Sequence, residues 1–337
     1  MIGIWTALAA AIGFGVTAAL GKWFIPFLQR VKFGQTIREE GPKWHAGKSG
    51  TPTMGGIMFI IGIVAAVAVC LPIYYAFLRQ NNSLQVAETW LMTVKVVGGL
   101  LMALAFGAVG FLDDYIKVVM KRNLGLTPAQ KMLGQILITA VFAFYMVNYS
   151  GLGTEVVIPF TGGSVVDLGI LYVPVLFFVV LGTVNGANFT DGLDGLCSSV
   201  TTLIAVFFTV IAVAAATDVH PVVCAVIGAL LGFLCFNTYP AKVFMGDTGS
   251  LALGGFVVST AYMLQIPFFL PIVAFVYFVE VLSVIIQVAY YKRTKKRIFK
   301  MAPIHHHFEL SGWPETKVVS IFSIVTAVLC LIGMLAY

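Results

Sequence analysis

Residues 54–78 read MGGIMFIIGIVAAVAVCLPIYYAFL, without one charged side chain. A helix rises about 1.5 Å per residue, so about 20 apolar residues cross a bilayer core. The run shows no period-two alternation, so it is not a barrel strand; it reads as a helix whose solvent is lipid. Working outward, comparable apolar segments recur at about 2–21, 91–112, 132–149, 168–187, 196–216, 221–238, 249–265, 268–290 and 318–336. Only LQIPFF, residues 264–269, separates the eighth and ninth, where Pro267 and Pro271 mark a turn.

The composition agrees. The chain of 337 residues is 60% hydrophobic and 10% charged, against a usual ~25% charged, and its mean hydropathy is +0.99. No stretch between the apolar segments is long enough to hold a core of its own. The sequence therefore predicts one polytopic domain over residues 1–337: an all-α integral membrane protein of ten transmembrane helices.

Orientation follows from the basic residues. If the first helix ends inside, the inside loops are 22–53, 113–131, 188–195, 239–248 and 291–317. They hold 18 of the 20 Lys and Arg residues; Arg79 and Lys95 are the exceptions. The positive-inside rule then puts both termini outside, periplasmic or extracellular. The first segment lacks a basic leader and does not read as a signal peptide. In the outer loop 151–169, GLGTEVVIPFTGGSVVDLG, β-branched runs flank Thr161-Gly162-Gly163 and predict a small β-hairpin. The net charge of +6 fits cytoplasmic lysines, and no motif for nucleic acid is present. The five cysteines have no C-x-x-C spacing and read as small apolar residues.

The informative polar residues gather at inner helix ends, in the stretches 22–53, 113–131, 185–195, 237–250 and 291–317. In GFLDDYIK, Asp113 and Asp114 are adjacent carboxylates that repel unless a cation or proton sits between them. They suit a general base or a Mg²⁺ site, against the plainer reading of a solvated helix end. In NFTDGLDG, Asn188, Asp191 and Asp194 recur at spacing three, and the glycines favour a tight polar loop. Too few oxygen ligands exclude an EF-hand, which leaves anion or nucleotide binding, or a turn that caps the next helix. MGDTGS opens a helix, so Asp247, Thr248 and Ser250 are N-cap candidates. The same helix N-terminus suits a phosphate, with Asp247 a ligand for a shared Mg²⁺. Phe244 is a candidate to stack on a base, or a packing residue.

Three further features stand at this face. Lys48, in the glycine-rich WHAGKSGTPTMGG, fits no Walker A spacing but suits a phosphate as a point charge. Glu280, Ser283 and Gln287 make one polar stripe on an apolar helix, with Gln287 nearer the inner end. In MAPIHHHFELSGWPETK, residues 301–317, His305, His306 and His307 are internal and unlike a tag. Neighbours on a helix project about 100° apart, so the three do not converge on one ion; one or two turn into the site.

Together HAGKSGTPTMGG, GFLDDYIK, NFTDGLDGL, VFMGDTGSLALGG and PIHHHFE resemble the phospho-N-acetylmuramoyl-pentapeptide transferase (translocase I) family, in order, from about residue 34 to 320. GTPTMGG and the His triplet with Phe308-Glu309 set this branch apart from its N-acetylglucosamine-1-phosphate relatives. The resemblance implies transfer of phospho-N-acetylmuramoyl-pentapeptide from its UDP donor to undecaprenyl phosphate, giving lipid I and UMP. It also implies Mg²⁺ dependence, a cytoplasmic-side active site in the bacterial plasma membrane, a homodimer, and inhibition by nucleoside antibiotics such as tunicamycin and muraymycin. On this reading Asp113, Asp114, Asp247, His305, His306 and His307 are catalytic, with Asp247 the metal ligand. Lys48, Lys131, Asn188, Asp191, Asp194, Asn237, Phe244 and Gln287 hold substrate. Two rivals stand beside it: a transporter, which needs polar residues near the midplane, and the sibling transferase that uses UDP-N-acetylglucosamine.

Overall fold

The computed structural model describes residues 2–31, 48, 50–80, 86–120 and 125–337, with residues 2 and 86–94 described by their backbone alone. The expected inner-loop cations Lys32, Arg38, Lys43, Lys121 and Arg122 lie outside the described residues, as do residues 44–47 and 49 of the glycine-rich loop.

Twelve α-helices carry the described chain. They are α1 (Ile2–Arg30), α2 (Gly56–Gln80), α3 (Val86–Val118), α4 (Pro128–Asn148), α5 (Tyr172–Thr190) and α6 (Leu196–Ala214). Then follow α7 (His220–Asn237), α8 (Gly246–Met263), α9 (Leu270–Val273), α10 (Phe275–Thr294), α11 (Ile304–Glu309) and α12 (Glu315–Ala336). Among the described residues nine helices are long and apolar enough to cross a membrane: α1 to α7, α10 and α12.

The expected eighth span, α8, has 18 residues but is not among those nine. Its neighbours explain its composition. It packs against α2, α3, α5 and α6, and every residue from Thr248 to Met263 is buried. A helix surrounded by protein does not need a lipid-soluble surface. Its small residues instead let backbones approach, as membrane helix packing favours. A Cβ on Gly56 would lie 2.4 Å from the Gly249 Cα, and one on Gly110 would lie 2.1 Å from the Asp247 carbonyl oxygen. Helices α2 and α3 are thus pressed onto the first turn of α8.

The ninth segment is interrupted near its start. A 3-10 turn at Pro267–Phe269 and the short α9 precede a break at Ala274, and α10 then runs straight to Thr294. At the other end of the bundle, β1 (Glu155–Val157) pairs antiparallel with β2 (Val165–Asp167), the expected hairpin. It is fastened by the Val157 N–H to the Gln265 carbonyl and by the Phe160 N–H to the Ala336 carbonyl. Chain reversals bring the last turns of α3, α5 and α7 and the first turns of α4, α6, α8 and α12 to one end, where they share hydrogen bonds.

Candidate active site

The site starts from a helix N-terminus. The first N–H groups of α8 lack partners within the helix. Asp114, at the end of α3, supplies them: its carboxylate accepts from the N–H of Asp247 (3.2 Å), and from the N–H (2.9 Å) and hydroxyl (2.6 Å) of Thr248. Gly246 makes this fit, with φ of 72° and no side chain, since a Cβ there would lie 2.5 Å from Asp114 Oδ2.

Asp113 projects about 100° further round α3 and meets different partners. Its Oδ1 accepts from the Leu126 N–H at 2.8 Å, and its Oδ2 lies 2.5 Å from Lys117 Nζ. Lys131 is delivered by the start of α4, where Thr127 and Gln130 form a capping box around Pro128. Its ammonium lies 2.6 Å from Asp247 Oδ2 and 3.8 Å from Asp113 Oδ2; Lys117 also reaches Asp247, at 3.1 Å. Asn188 donates to Asp247 Oδ1 (2.9 Å) and to Ser250 Oγ (2.8 Å).

One oxygen from each of Asp113, Asp114 and Asp247 lies within 4.8 Å of the others. This is an all-oxygen donor set, the kind that hard cations such as Mg²⁺ take. The buried Oδ2 of Asp113 is paired with an ammonium but has no hydrogen-bond donor in line with it. Three carboxyl groups face two ammonium groups in this cluster. These residues therefore fit the metal that the sequence predicted, with Asp247 at its centre.

A second knot lies in the 191–194 turn. Asp194 is buried; its Oδ1 lies 2.7 Å from Lys48 Nζ and its Oδ2 accepts from the Ala241 N–H at 2.9 Å. Glu315, in the first turn of α12, takes Lys48 at 2.6 Å and the Asp194 N–H at 2.7 Å on the same oxygen. Lys48 is thereby held between two carboxylates. Asp191 caps α5. Burial, and then the charges of Asp247, Asp114 and Asp194, hold its carboxyl well above the usual carboxylate range.

The His triplet lies on α11, where each ring has its own post. His305 is 1% exposed and its Nδ1 is 3.1 Å from Glu280 Oε1. His306 Nδ1 lies 2.7 Å from Glu309 Oε2. His307 Nδ1 accepts from the Lys300 N–H at 3.1 Å. The amide of Gln287 is committed to backbone, and that of Asn237 to backbone and a serine hydroxyl. Asn237 donates to the Val243 carbonyl and accepts from Ser198; Gln287 pins residues 298 and 299. Phe244 is half-buried and its backbone pairs with Pro52 and Gly55.

The structure thus joins Asp113, Asp114, Lys131, Asn188 and Asp247 in one knot, and Lys48 and Asp194 in a second. It also brings in Thr248 and Ser250, read from the sequence only as N-cap candidates, and two partners that the sequence reading passed over: Lys117 and Glu315. Lys117 stands four residues after Asp113, a visible helical pairing. Glu315 follows Pro314 at a helix start, but its partner Lys48 is 267 residues away, with no signal in the sequence.

Residues 96–265 match the glycosyl transferase family 4 model, and residues 48–60 match phospho-N-acetylmuramoyl-pentapeptide-transferase signature 1. The chain is 46% identical over 333 residues to the phospho-N-acetylmuramoyl-pentapeptide-transferase of Clostridioides difficile (strain 630), covering 97% of this chain and 96% of that one. It is 49% identical over 332 residues to the enzyme of that name from Desulforamulus reducens, covering 97% and 94%. The chain belongs to the phospho-N-acetylmuramoyl-pentapeptide-transferase family.

Proposed function

We propose that this protein transfers phospho-N-acetylmuramoyl-pentapeptide from its UDP donor to undecaprenyl phosphate, releasing UMP and leaving lipid I in the membrane. The observation that carries the reading is the cluster of Asp113, Asp114 and Asp247 with Lys117 and Lys131, set at the N-terminus of a buried helix. Two phosphorylated substrates repel each other, and such a cluster supplies the charges that let them meet.

Asp247, with Asp113 beside it, would hold Mg²⁺. A cation there would supply charge to screen the diphosphate and polarise the phosphorus. Lys117 and Lys131, which pair with the carboxylates, would offer their ammonium groups to phosphate oxygens. Asp114 spends both oxygens on the first turn of α8 and fixes Asp247 in place. Asp113, whose Oδ2 has no hydrogen-bond donor in line with it, is the proposed base for the last proton of the acceptor phosphate, which then attacks the sugar-side phosphorus as UMP leaves. Asp191, Asp194 and Lys48 serve the uridine side with Phe244 stacked on the base, and the exposed side of α11 offers His306 to the diphosphate. Asn237 and Gln287 support the walls of the site.

The membrane reading goes with this chemistry. We take α8 as a tenth crossing within a single unit over residues 1–337. The acid cluster then faces the cytoplasm and both termini face outward, in a bacterial plasma membrane. A homodimer and inhibition by tunicamycin- and muraymycin-type nucleosides belong to the same reading.

The test uses purified protein in detergent. UMP release should require both substrates and Mg²⁺, and UDP-N-acetylglucosamine should not replace the donor. Asp247→Asn should lower kcat by about 10²-fold or more. Near-full turnover in that variant would remove Asp247 from the metal site. Solute flux into liposomes without UMP release would instead favour a transporter.

A further inference from the structure

Glu280 lies in α10, one of the nine membrane-long helices, and is completely buried. A carboxyl in that setting is expensive, and it marks function more often than stability. Its nearest cation-forming group is His305, with 3.1 Å between Oε1 and Nδ1. The two are in pairing range although the N–H is not in line with the oxygen, and neither Glu280 oxygen has a hydrogen-bond donor of its own.

The opposite edge of the same ring points at the 191–194 turn. A Cβ built on Gly192 would lie 2.2 Å from His305 Nε2 and 2.6 Å from Cε1, so the imidazole rests on the Gly192 backbone. Nε2 is buried there without a hydrogen-bond partner. His305 is thus buried and touches the turn between Asp191 and Asp194. Asp194 in turn holds Lys48. Helix α10 also presses on α5 just upstream, where a Cβ on Gly186 would lie 2.7 Å from the Tyr277 carbonyl oxygen.

We propose that Glu280 is a positioning residue for the donor side of the site. It fixes the His305 ring, the ring fixes the Gly192 turn, and the turn sets Asp191 and Asp194 for the nucleotide. His305 is then a prop within the triplet. The inference rests on the reading that the 191–194 turn takes the uridine diphosphate end of the donor.

The experiment measures KM for the UDP-linked donor and for undecaprenyl phosphate separately, and the affinity for UMP by calorimetry. Glu280→Leu should raise the donor KM and the UMP dissociation constant by about 10-fold or more, with the acceptor KM changed by less than about 2-fold. Glu280→Gln keeps an oxygen for the Nδ1 proton and should restore near-wild-type values. Glu280→Leu combined with His305→Leu should be no worse than either alone, because both break one connection. Equal rises in both KM values, a fall in kcat alone, or additive single effects would overturn the proposal. If Glu280→Leu does not fold, His305→Asn decides. It keeps a donor toward Glu280 but takes the ring off Gly192, and an unchanged donor KM there would equally overturn it. Wild-type protein that releases no UMP would overturn the transferase reading instead; UMP affinity in the variants then judges the positioning role by itself.

Discussion

At the scale of single residues, Asp191 shows how the site strains against its own charge. Burial and three neighbouring acids raise its carboxyl, so the folded protein retains a proton that the unfolded chain releases near pH ~4. Between that pH and the raised value the folded state binds more protons than the unfolded one. Stability therefore falls as pH rises through the window. Asp191→Asn removes the slope. In chelator, the variant should melt at a higher temperature than wild type at pH 7, and at a similar one near pH 4. A gain of the same size at both pH values would mean that the carboxyl is not perturbed. The acids were legible as residues, since a doublet, a D-x-x-D turn and a helix-opening Asp each carry a local signal. Their division of labour was not. Asp113 and Asp114 look alike in sequence, yet one faces two lysines and the other caps α8, because a single step along a helix turns the side chain by about 100°.

At the scale of elements, apolar runs located the long helices well, because lipid imposes one composition on every surface that it touches. The eighth run, 249–265, also located α8, but that helix touches protein on all sides, so its composition follows packing and it is not among the nine membrane-long helices. Apolar runs are silent about α11, six residues that carry the histidines and are too short to show a period. Hence the triplet reads as a loop in the sequence, which carries no signal for the burial of His305. Packing onto α8 makes its own prediction. In Gly110→Ala the new Cβ would meet Asp247 backbone at 2.1 Å and 2.3 Å, where no side-chain rotation relieves it. Overpacking of this kind costs about 1–3 kcal/mol. It must also part α3 from α8, and with them Asp113 and Asp114 from Asp247. Activity should drop by about 10-fold or more along with the melting temperature. Gly99→Ala, on the same helix, meets only side chains at 3.5 Å and beyond and should be tolerated. Equal losses in the two variants would show that the close α3–α8 approach does not hold the site.

At the scale of the whole molecule, the two ends of the bundle differ in kind. The acid cluster, Lys48, Lys117, Lys131, Lys242 and the basic end of α10 gather at one end, and the β-hairpin occupies the other. Positive charge resists translocation, so the proposed orientation puts the basic end in the cytoplasm. The proposed reaction asks for the same side, because a cytoplasmic nucleotide-linked donor would then reach the cluster without crossing the bilayer. Among the native cysteines Cys235 is exposed and the other four are buried, so Cys235→Ala provides a quiet background for labelling. Val165→Cys, on the exposed second strand, and Lys296→Cys, just past α10, then report the two ends. A membrane-impermeant maleimide on intact cells should label position 165 and spare position 296, and should reach both after permeabilisation. The reverse pattern would put the acid cluster outside, cut off from its donor. The transferase reading would then fail on topology, whatever the carboxylates could do.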